Sequence, residues 1–339
     1  MIEARYHDSV NVLQGLSLQG DAVASPFDRA EWFQLLADAG LKPLVAIASD
    51  ADSDAALALT EHRGRITPLR NWYTFTWRQL ASADEAGDRL LEGIARQLKT
   101  RGHRVTLEPV PDEDGSASRL ARAFGAAGWY VEVTPCDVNH VLRVNQRSFA
   151  EYWATRPGAL RTTRERKAAK VEVSIRTDFD PAAWSEYEQI YAKSWKPAED
   201  YPEMLRAFAS AEGDAGRLRL GIATFDGLPI AAQFWTVENR TAYIHKLAHL
   251  QSHRPLSAGT ILTAELFRHV IDRDSVELID FGTGDEPYKA DWMEETRPRF
   301  RVDCISPHSP RSWIDLAKRS ARRLGQSRMT KLAHRTGGG

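Results

Sequence analysis

The chain has 339 residues, of which 42% are hydrophobic and 27% are charged, a globular composition that excludes wholesale disorder. Its 45 lysines and arginines against 46 aspartates and glutamates give a formal net charge of −1, so no general nucleic-acid-binding surface is expected. Two cysteines, Cys136 and Cys304, are too few for a disulfide framework or a cysteine-rich zinc site. The ten histidines show no paired ligand spacing, so no metal is expected.

The first half of the chain alternates predicted strands and amphipathic helices. Residues 25–28, Ser-Pro-Phe-Asp, are typical of a helix start, and Trp32, Leu35 and Leu36 share one face of a helix at 30–39. The other predicted elements are a strand at 44–49, a hairpin-like turn at 62–64, a helix at 87–101, a strand at 104–110, a helix at 116–127 and strands at 129–134 and 140–144.

The second half repeats this order of elements. Its predicted elements are a strand at 171–176, a helix from 181 to about 194, strands at 217–225, 230–237 and 241–250, a helix at 259–273 and a strand at 276–281. The repetition predicts an α/β protein with a mixed sheet. We expect an N-terminal domain at 1–155, a C-terminal domain at 156–310 and a basic tail at 311–339.

The tail carries eight cationic residues against Asp315 alone, a net charge of +7. One interpretation is a solvated helix or chain end, and the other is an amphipathic anchor on an anionic membrane surface. No stretch approaches the ~18–20 apolar residues of a membrane span, and residues 1–8 lack the apolar region of a secretory signal. We therefore expect a cytoplasmic protein, with peripheral contact with the inner membrane through 311–339 as an open alternative.

A loop of small residues precedes the helix predicted at 259–273. A helix that starts in such a loop presents unpaired backbone N–H groups and the positive end of its dipole, which suits a pyrophosphate. The candidate ligand-binding residues of this loop are Arg254, Ser257, Ala258, Gly259 and Thr260. The alternative is an ordinary helix start capped by Ser257.

The strand that follows ends in residues 279–292, Ile-Asp-Phe-Gly-Thr-Gly-Asp-Glu-Pro-Tyr-Lys-Ala-Asp-Trp. This loop, helix, strand and motif resemble the GNAT acetyltransferase superfamily, in the branch of CelD-like acyltransferases related to the FemAB aminoacyltransferases. The resemblance is strongest over 161–300, and residues 25–28 with Trp32 resemble the start of the N-terminal half. Ala258 departs from the branch, which commonly has proline there.

The resemblance implies two GNAT-like domains in a FemAB-like arrangement, with an amine acceptor in the cleft between them. It implies acyl-CoA as co-substrate and no tightly bound cofactor. Carried over by position, Arg254 and residues 257–260 would bind the CoA pyrophosphate. The reaction is direct transfer, which needs a base for the amine proton, N–H groups for the oxyanion and an acid for the thiolate.

Three residues are candidates for proton transfer. His245 lies on the strand that borders the acyl group in this superfamily, and its ordinary pKa near ~6.5 suits a base; the alternative is a packed structural histidine. Strand alternation places Tyr243, His245 and Leu247 on one face, and Ile244, Lys246 and Ala248 on the other. Tyr288 follows the last predicted strand, where these enzymes often place a tyrosine near the thiolate. Asp280 is expected to orient His245, to bind the amine or to cap the turn.

Candidate substrate-binding residues form a second group. The segment at 71–77 is dense in aromatic residues, and its interpretations are a core strand or a hydrophobic wall for an acyl chain or lipid. Asp285 is a candidate for the substrate amine, and Lys289 for a phosphate or carboxylate, with a surface ion pair as the alternative. The aromatic candidates are Trp72, Tyr73, Phe75 and Trp77. Residues 71–75 and 244–248 resemble segments of bacterial ceramide-forming acyltransferases.

These observations predict an acyl-CoA-dependent N-acyltransferase acting on a sphingoid long-chain base at a membrane surface. The alternative acceptor is an amino sugar or another envelope precursor. Transfer from aminoacyl-tRNA would need a basic surface and a helical arm, for which 161–170 is too short. A scaffold that binds CoA without turnover is the non-enzyme alternative.

Overall fold

The computed structural model describes residues 2–16 and 23–313. The tail predicted at 311–339 lies outside the described residues from position 314 onward. Within the described residues one mixed sheet contains these strands: β1 Ala4–His7, β2 Leu44–Ser49, β3 Asp54–His62, β4 Arg65–Pro68, β5 Leu80–Ala81, β6 Arg104–Val110, β7 Tyr130–Arg143, β8 Glu172–Arg176, β9 Leu218–Phe225, β10 Leu228–Glu238, β11 Thr241–His249, β12 Leu278–Thr283 and β13 Glu295–Ile305.

The helices pack on this sheet. They are α1 Ala30–Asp38, α2 Glu85–Leu98, α3 Ser116–Ala126, α4 Phe149–Ala154, α5 Gly158–Lys167, α6 Pro181–Ala192, α7 Pro202–Asp214 and α8 Ala258–Asp272. The mixed α/β architecture confirms the predicted fold class. In the described part of the chain, no helix has the length and apolar character needed to span a membrane.

The strand order is β1-β2-β3-β4-β6-β13-β7-β12-β11-β10-β9-β8, with β5 paired to β3. The last strand, β13, therefore lies between β6 and β7 of the N-terminal half. Its residues, 295–305, belong to the segment 156–310 that was expected to form the C-terminal domain. The two halves are joined through one continuous sheet. The boundary near 155 stays a prediction, and residues 295–305 cross it.

Apolar periodicity explains why these segments form helices. Ile261, Leu262, Leu266 and Val270 of α8 are buried, as the four-residue spacing of the last three predicts. The first core cluster spans both halves of the chain, since Trp32 of α1 meets Phe208 of α7 with ring centroids 5.1 Å apart. Both halves thus enclose the region described next.

Candidate active site

The candidate site opens where β11 and β12 diverge. These parallel strands pair only at Thr241–Tyr243 with Leu278–Asp280, and the gap beyond separates two cavities. The aromatic cavity, about 270 Å³, contains Trp72, Tyr73 and Phe75 in its wall. The helix cavity, about 340 Å³, contains the start of α8. Both are lined by Leu247, Phe281 and Tyr288.

The helix cavity brings together all five residues predicted to bind pyrophosphate: Arg254, Ser257, Ala258, Gly259 and Thr260. The first hydrogen bond of α8 runs from Ile261 N–H to the Ser257 carbonyl, so the N–H groups of residues 258–260 point out of the helix end. The proposed anion site is therefore geometrically open.

Ser257 stands at the start of this helix but does not cap it with its side chain, so the capping role given to Ser257 in the alternative interpretation is wrong. Its backbone adopts a left-handed φ of 54°, and its side chain makes no capping hydrogen bond. Instead its hydroxyl accepts a hydrogen bond from Lys167 Nζ at 2.9 Å. Lys167 of α5 thus adds a cation beside the helix start, next to the exposed Arg254.

The rest of the helix cavity is largely uncharged. The indole of Trp195 lies 4.3 Å from the ring of His249, measured between centroids. Gln233 Nε2 donates to the Gly259 carbonyl at 3.2 Å and to Thr263 Oγ1 at 2.6 Å, which ties the loop to β10. A cationic end and an uncharged wall suit a ligand with phosphates at one end and a neutral arm.

The aromatic cavity takes three of the four predicted aromatic residues, because the segment at 71–77 is an irregular loop and not a strand. Trp72, Tyr73 and Phe75 line the cavity. Trp77 is fully buried elsewhere, where its indole N–H donates to the Ala58 carbonyl at 2.9 Å. The prediction that Trp77 binds substrate is therefore wrong: it is a core residue.

A largely buried carboxylate, which the sequence did not point to, organises one wall. Glu199 Oε1 accepts hydrogen bonds from Lys246 Nζ and from the Tyr73 hydroxyl, each at 2.7 Å. Its Oε2 accepts one from the Tyr187 hydroxyl at 3.1 Å. The Lys246 ammonium also lies 4.2 Å from the Tyr73 ring centroid, a cation–π contact. Glu199 thereby ties α6, β11 and the N-terminal half together.

Two further lysines border the aromatic cavity. Lys289 is buried, and its ammonium donates to the carbonyls of Thr283 and Gly284 and pairs with Glu286 at 2.8 Å, so it holds the turn after β12. Lys196 differs, since no carboxylate of the described residues lies within 4 Å of its ammonium. Burial, with the charge of Lys246, lowers the pKa of Lys196 to about 8.

His245 borders the aromatic cavity but is a poor base. Thr236 Oγ1 lies 2.8 Å from its Nε2, and the rings of Phe208 and Phe234 lie 5.3 and 4.9 Å away. Burial, followed by the charges of Lys246 and a nearby arginine, lowers the pKa of His245 to about 3. The alternative interpretation, a packed structural histidine, describes this geometry.

A β-bulge at His245 also overturns the predicted strand faces. Phe234 pairs with Lys246 and Trp235 pairs with Ile244, which leaves His245 unmatched. Alternation is inverted beyond it. Leu247 packs against the hydrophobic cluster that contains Ile244, on one side of the sheet. Ala248 belongs to the other hydrophobic cluster, which contains Tyr243. Lys246 consequently shares the side of the aromatic cavity with His245.

The two aspartates lie outside both cavities. Asp280 is buried, and its carboxylate accepts hydrogen bonds from Asn139 Nδ2 and from the Gly282 N–H at 2.8 Å. The hydrogen-bond partner of the His245 ring is Thr236, so the expected orientation of His245 by Asp280 is not found, whereas the turn-capping interpretation fits. Asp285 is exposed and lies 2.9 Å from His140 Nε2, away from the cavities.

Tyr288 occupies the wall common to the two cavities. Its side chain is 43% exposed, and its ring meets Phe281 edge-on at 5.7 Å. Burial, together with the charge of Glu286, raises the pKa of Tyr288 to about 12. The phenol therefore keeps its proton at neutral pH and can donate it into either cavity.

Residues 158–290 match the family model described as the acetyltransferase (GNAT) domain. No curated protein sequence matches the chain. Among solved structures, FemX shares 9% identity over 89% of this chain and 97% of its own, with a TM-score of 0.62.

Two further structures share the fold. L-PGS from Bacillus licheniformis has 10% identity and a TM-score of 0.54, covering 83% of this chain and 89% of its own. The C-terminal domain of a putative lysylphosphatidylglycerol synthetase from Agrobacterium fabrum has 11% identity and a TM-score of 0.53, covering 74% and 80%. The likeness to FemX confirms the predicted arrangement of the fold. Residues 158–290 thus match a GNAT acetyltransferase domain, and this match supports acyl transfer as the activity.

Proposed function

We propose that the chain is an acyl-CoA-dependent N-acyltransferase. The observation that carries this proposal is that the helix cavity, with its open helix start, and the aromatic cavity meet at one wall, at Tyr288. A donor with phosphates at one end and a thioester at the other fits the first cavity. An amine acceptor then fits the second.

The donor is held at its pyrophosphate by the N–H groups of residues 258–260 and by Arg254. Its neutral arm lies between the diverging ends of β11 and β12, which brings the thioester to Tyr288. Beyond Tyr243 the edge of β11 has no β12 partner, so its N–H groups can donate to the thioester oxygen as negative charge develops.

Transfer then needs two proton movements. The neutral amine nitrogen forms a bond to the thioester carbon, and the carbon–sulfur bond breaks. Lys196, as a neutral amine, accepts the proton lost by the attacking nitrogen, because Lys196 lines the aromatic cavity and its pKa is lowered to about 8. Tyr288 donates its proton to the leaving thiolate and regains one from solvent. His245 and Asp280 take no part in these steps.

The acceptor that we propose is a sphingoid long-chain base, which would give a ceramide-type amide. Its support is the aromatic wall of Trp72, Tyr73 and Phe75. The test measures amide formation in two assays. One uses palmitoyl-CoA with sphinganine or its 3-keto form, and the other uses acetyl-CoA with glucosamine. Product from glucosamine alone would assign an amino sugar instead, and product from none would reject both.

Donor binding is tested first by thermal unfolding with CoA, acetyl-CoA and palmitoyl-CoA. A ligand at 100 times its dissociation constant stabilises the folded state by ~2.7 kcal/mol. We expect Arg254→Gln to weaken the shift. Arg240→Gln, a matched change at an exposed arginine that lines neither cavity, should keep it. No shift with any of the three compounds would reject acyl-CoA as the donor.

We further propose that the basic tail contacts anionic membranes, which would bring the site to a lipid acceptor. Flotation with anionic vesicles compares the full chain with a version ending at Pro310. Equal binding of the two would reject this contact.

A further inference from the structure

A third cavity lies beside the aromatic cavity, and the transfer steps above do not use it. This lateral groove, about 410 Å³, is bounded by α6, the loop at 193–201 and the start of α7. Its wall is mostly apolar and includes Trp184, Tyr187, Ala192, Pro202 and Leu205.

The lateral groove adjoins the candidate site. It shares with the aromatic cavity the lining residues Tyr191, Lys196, Pro197 and Leu205. The aromatic cavity in turn shares Tyr288 with the helix cavity. The three spaces therefore form a row, with the proposed place of reaction between the helix cavity and the aromatic cavity.

The carboxylates in the wall of the groove are already paired. Glu188 accepts a hydrogen bond from Trp184 Nε1 at 2.8 Å and from Arg206 at 3.2 Å. Glu199 is bonded to Lys246 and to the Tyr187 hydroxyl. What remains for a ligand is Lys196, at the boundary with the aromatic cavity, and a surface of aromatic rings, prolines and alanines. Away from Lys196 this surface favours hydrocarbon over a polar group.

We propose that the lateral groove binds the hydrocarbon chain of the acceptor amine. This rests on the proposed function, and it names the class of acceptor: a primary amine on an unbranched alkyl chain. The donor reaches Tyr288 from the helix cavity, so the amine approaches from the opposite side and its chain extends towards the groove. A methylene group takes up ~30 Å³, similar to the volume per molecule in liquid water. The groove, about 410 Å³, therefore holds on the order of a dozen carbons.

The test compares n-butylamine with n-decylamine as acceptors. Each buried methylene is worth up to about fourfold in binding, so we expect kcat/KM to be at least 100-fold higher for decylamine. Ala192→Trp fills the groove from the end of α6 and should reduce that ratio below about tenfold. Ala182→Trp is the matched control, because Ala182 is exposed on the same helix and outside the groove; it should keep the ratio.

A series of acyl-CoA donors shows whether the groove binds the acceptor amine or the acyl chain of the donor. Acetyl-CoA, octanoyl-CoA and palmitoyl-CoA are compared with butylamine as acceptor. If Ala192→Trp abolishes a donor-length preference and leaves the amine preference intact, the groove holds the acyl chain and the proposal is overturned. The proposal is also overturned if the ratio of kcat/KM for decylamine to that for butylamine is the same in wild type and in Ala192→Trp.

Direct binding separates this proposal from the proposed function. If no amine is acylated, the N-acyltransferase assignment fails, and calorimetric titration with decylamine and butylamine still tests the groove. The proposal is supported if decylamine binds at least tenfold more tightly than butylamine in wild type and in Ala182→Trp, and if this difference in affinity is lost in Ala192→Trp. Equal binding of the two amines rejects it.

Discussion

Acid should destabilise this protein through one imidazole at the edge of the aromatic cavity. His245 is enclosed by Phe208 and Phe234 and hydrogen-bonded to Thr236, and burial with the charge of Lys246 lowers its pKa to about 3. In the unfolded chain the same ring titrates near ~6.5. Because the folded pKa lies below the unfolded pKa, only the unfolded state gains a proton between these values. Stability is therefore full above pH ~6.5 and is lost progressively as the pH falls towards 3.

The magnitude follows from proton linkage. Moving from pH 7 to pH 5 protonates His245 in the unfolded chain and leaves it neutral in the folded one, which costs about 2 kcal/mol of unfolding free energy. One edge of the ring borders the cavity, where water screens the charge. We therefore expect a loss of about 1–2 kcal/mol from this group.

Urea unfolding at pH 7 and pH 5 measures this effect in wild type and in His245→Gln. Glutamine does not titrate and keeps an amide that can bond to Thr236, and the carboxylates titrate alike in both proteins and cancel. Wild type should lose about 1–2 kcal/mol more than the variant between the two pH values. Parallel losses would refute the burial argument. Amide formation that falls more than tenfold in His245→Gln would contradict a packing role.

Three further predictions test the site. Tyr288→Phe should lower kcat about 100-fold with little change in KM for acyl-CoA, measured by steady-state thiol release; an unchanged kcat would remove Tyr288 as the acid. In wild type kcat/KM should rise with pH through a pKa of about 8, and Lys196→Met should lower it about 100-fold and abolish that step in the pH–rate profile. Glu199→Leu should cost about 3–5 kcal/mol in urea unfolding because Lys246 is left buried and unpaired. Adding Lys246→Met should recover most of that loss, and additive losses would argue against the pair.

Periodicity predicted the elements that carry the donor half of the site. The strands at 218–225 and 241–249 and helix α8 lie within a few residues of their predicted bounds. Each has a clear local signal: a strand-length apolar or alternating run, or the apolar stripe of α8. The loop at 254–260 was found because a helix start is a local feature, and all five of its predicted residues line one cavity.

Strand β13 was missed although part of its signal is local: Phe300, Val302 and Cys304 alternate with charged residues, and Val302 and Cys304 are fully buried. It carries Arg297, Arg299 and Arg301, which resemble a solvated loop in the sequence. The partners of Arg299 and Arg301 are Glu113 and Glu108, almost two hundred residues earlier in the chain. Only the paired strands bring these charges together, so no window of sequence contains the ion-pair part of the signal.

Helix α7 was missed for a different reason. Its signal is present: Pro202 stands at the first turn, and Met204, Leu205, Phe208 and Ala209 are buried at helical spacing. The same omission hid the loop at 193–201, which carries Lys196 and Glu199. Residues of both the aromatic cavity and the lateral groove therefore lay in a segment to which no element had been assigned.

The bulge at His245 is the point at which local pattern and site chemistry separate. Strict alternation would put His245 and Lys246 on opposite faces of β11. The extra residue instead leaves both on the side of the aromatic cavity, so that Lys246 reaches Glu199 while His245 is packed against phenylalanines. The bulge depends on the register with β10, a tertiary feature that a strand pattern does not contain. From the sequence, His245 was chosen as the base because histidine is the residue type most often associated with proton transfer. In the structure, the polar contacts of this wall are instead made by Lys246 and Glu199.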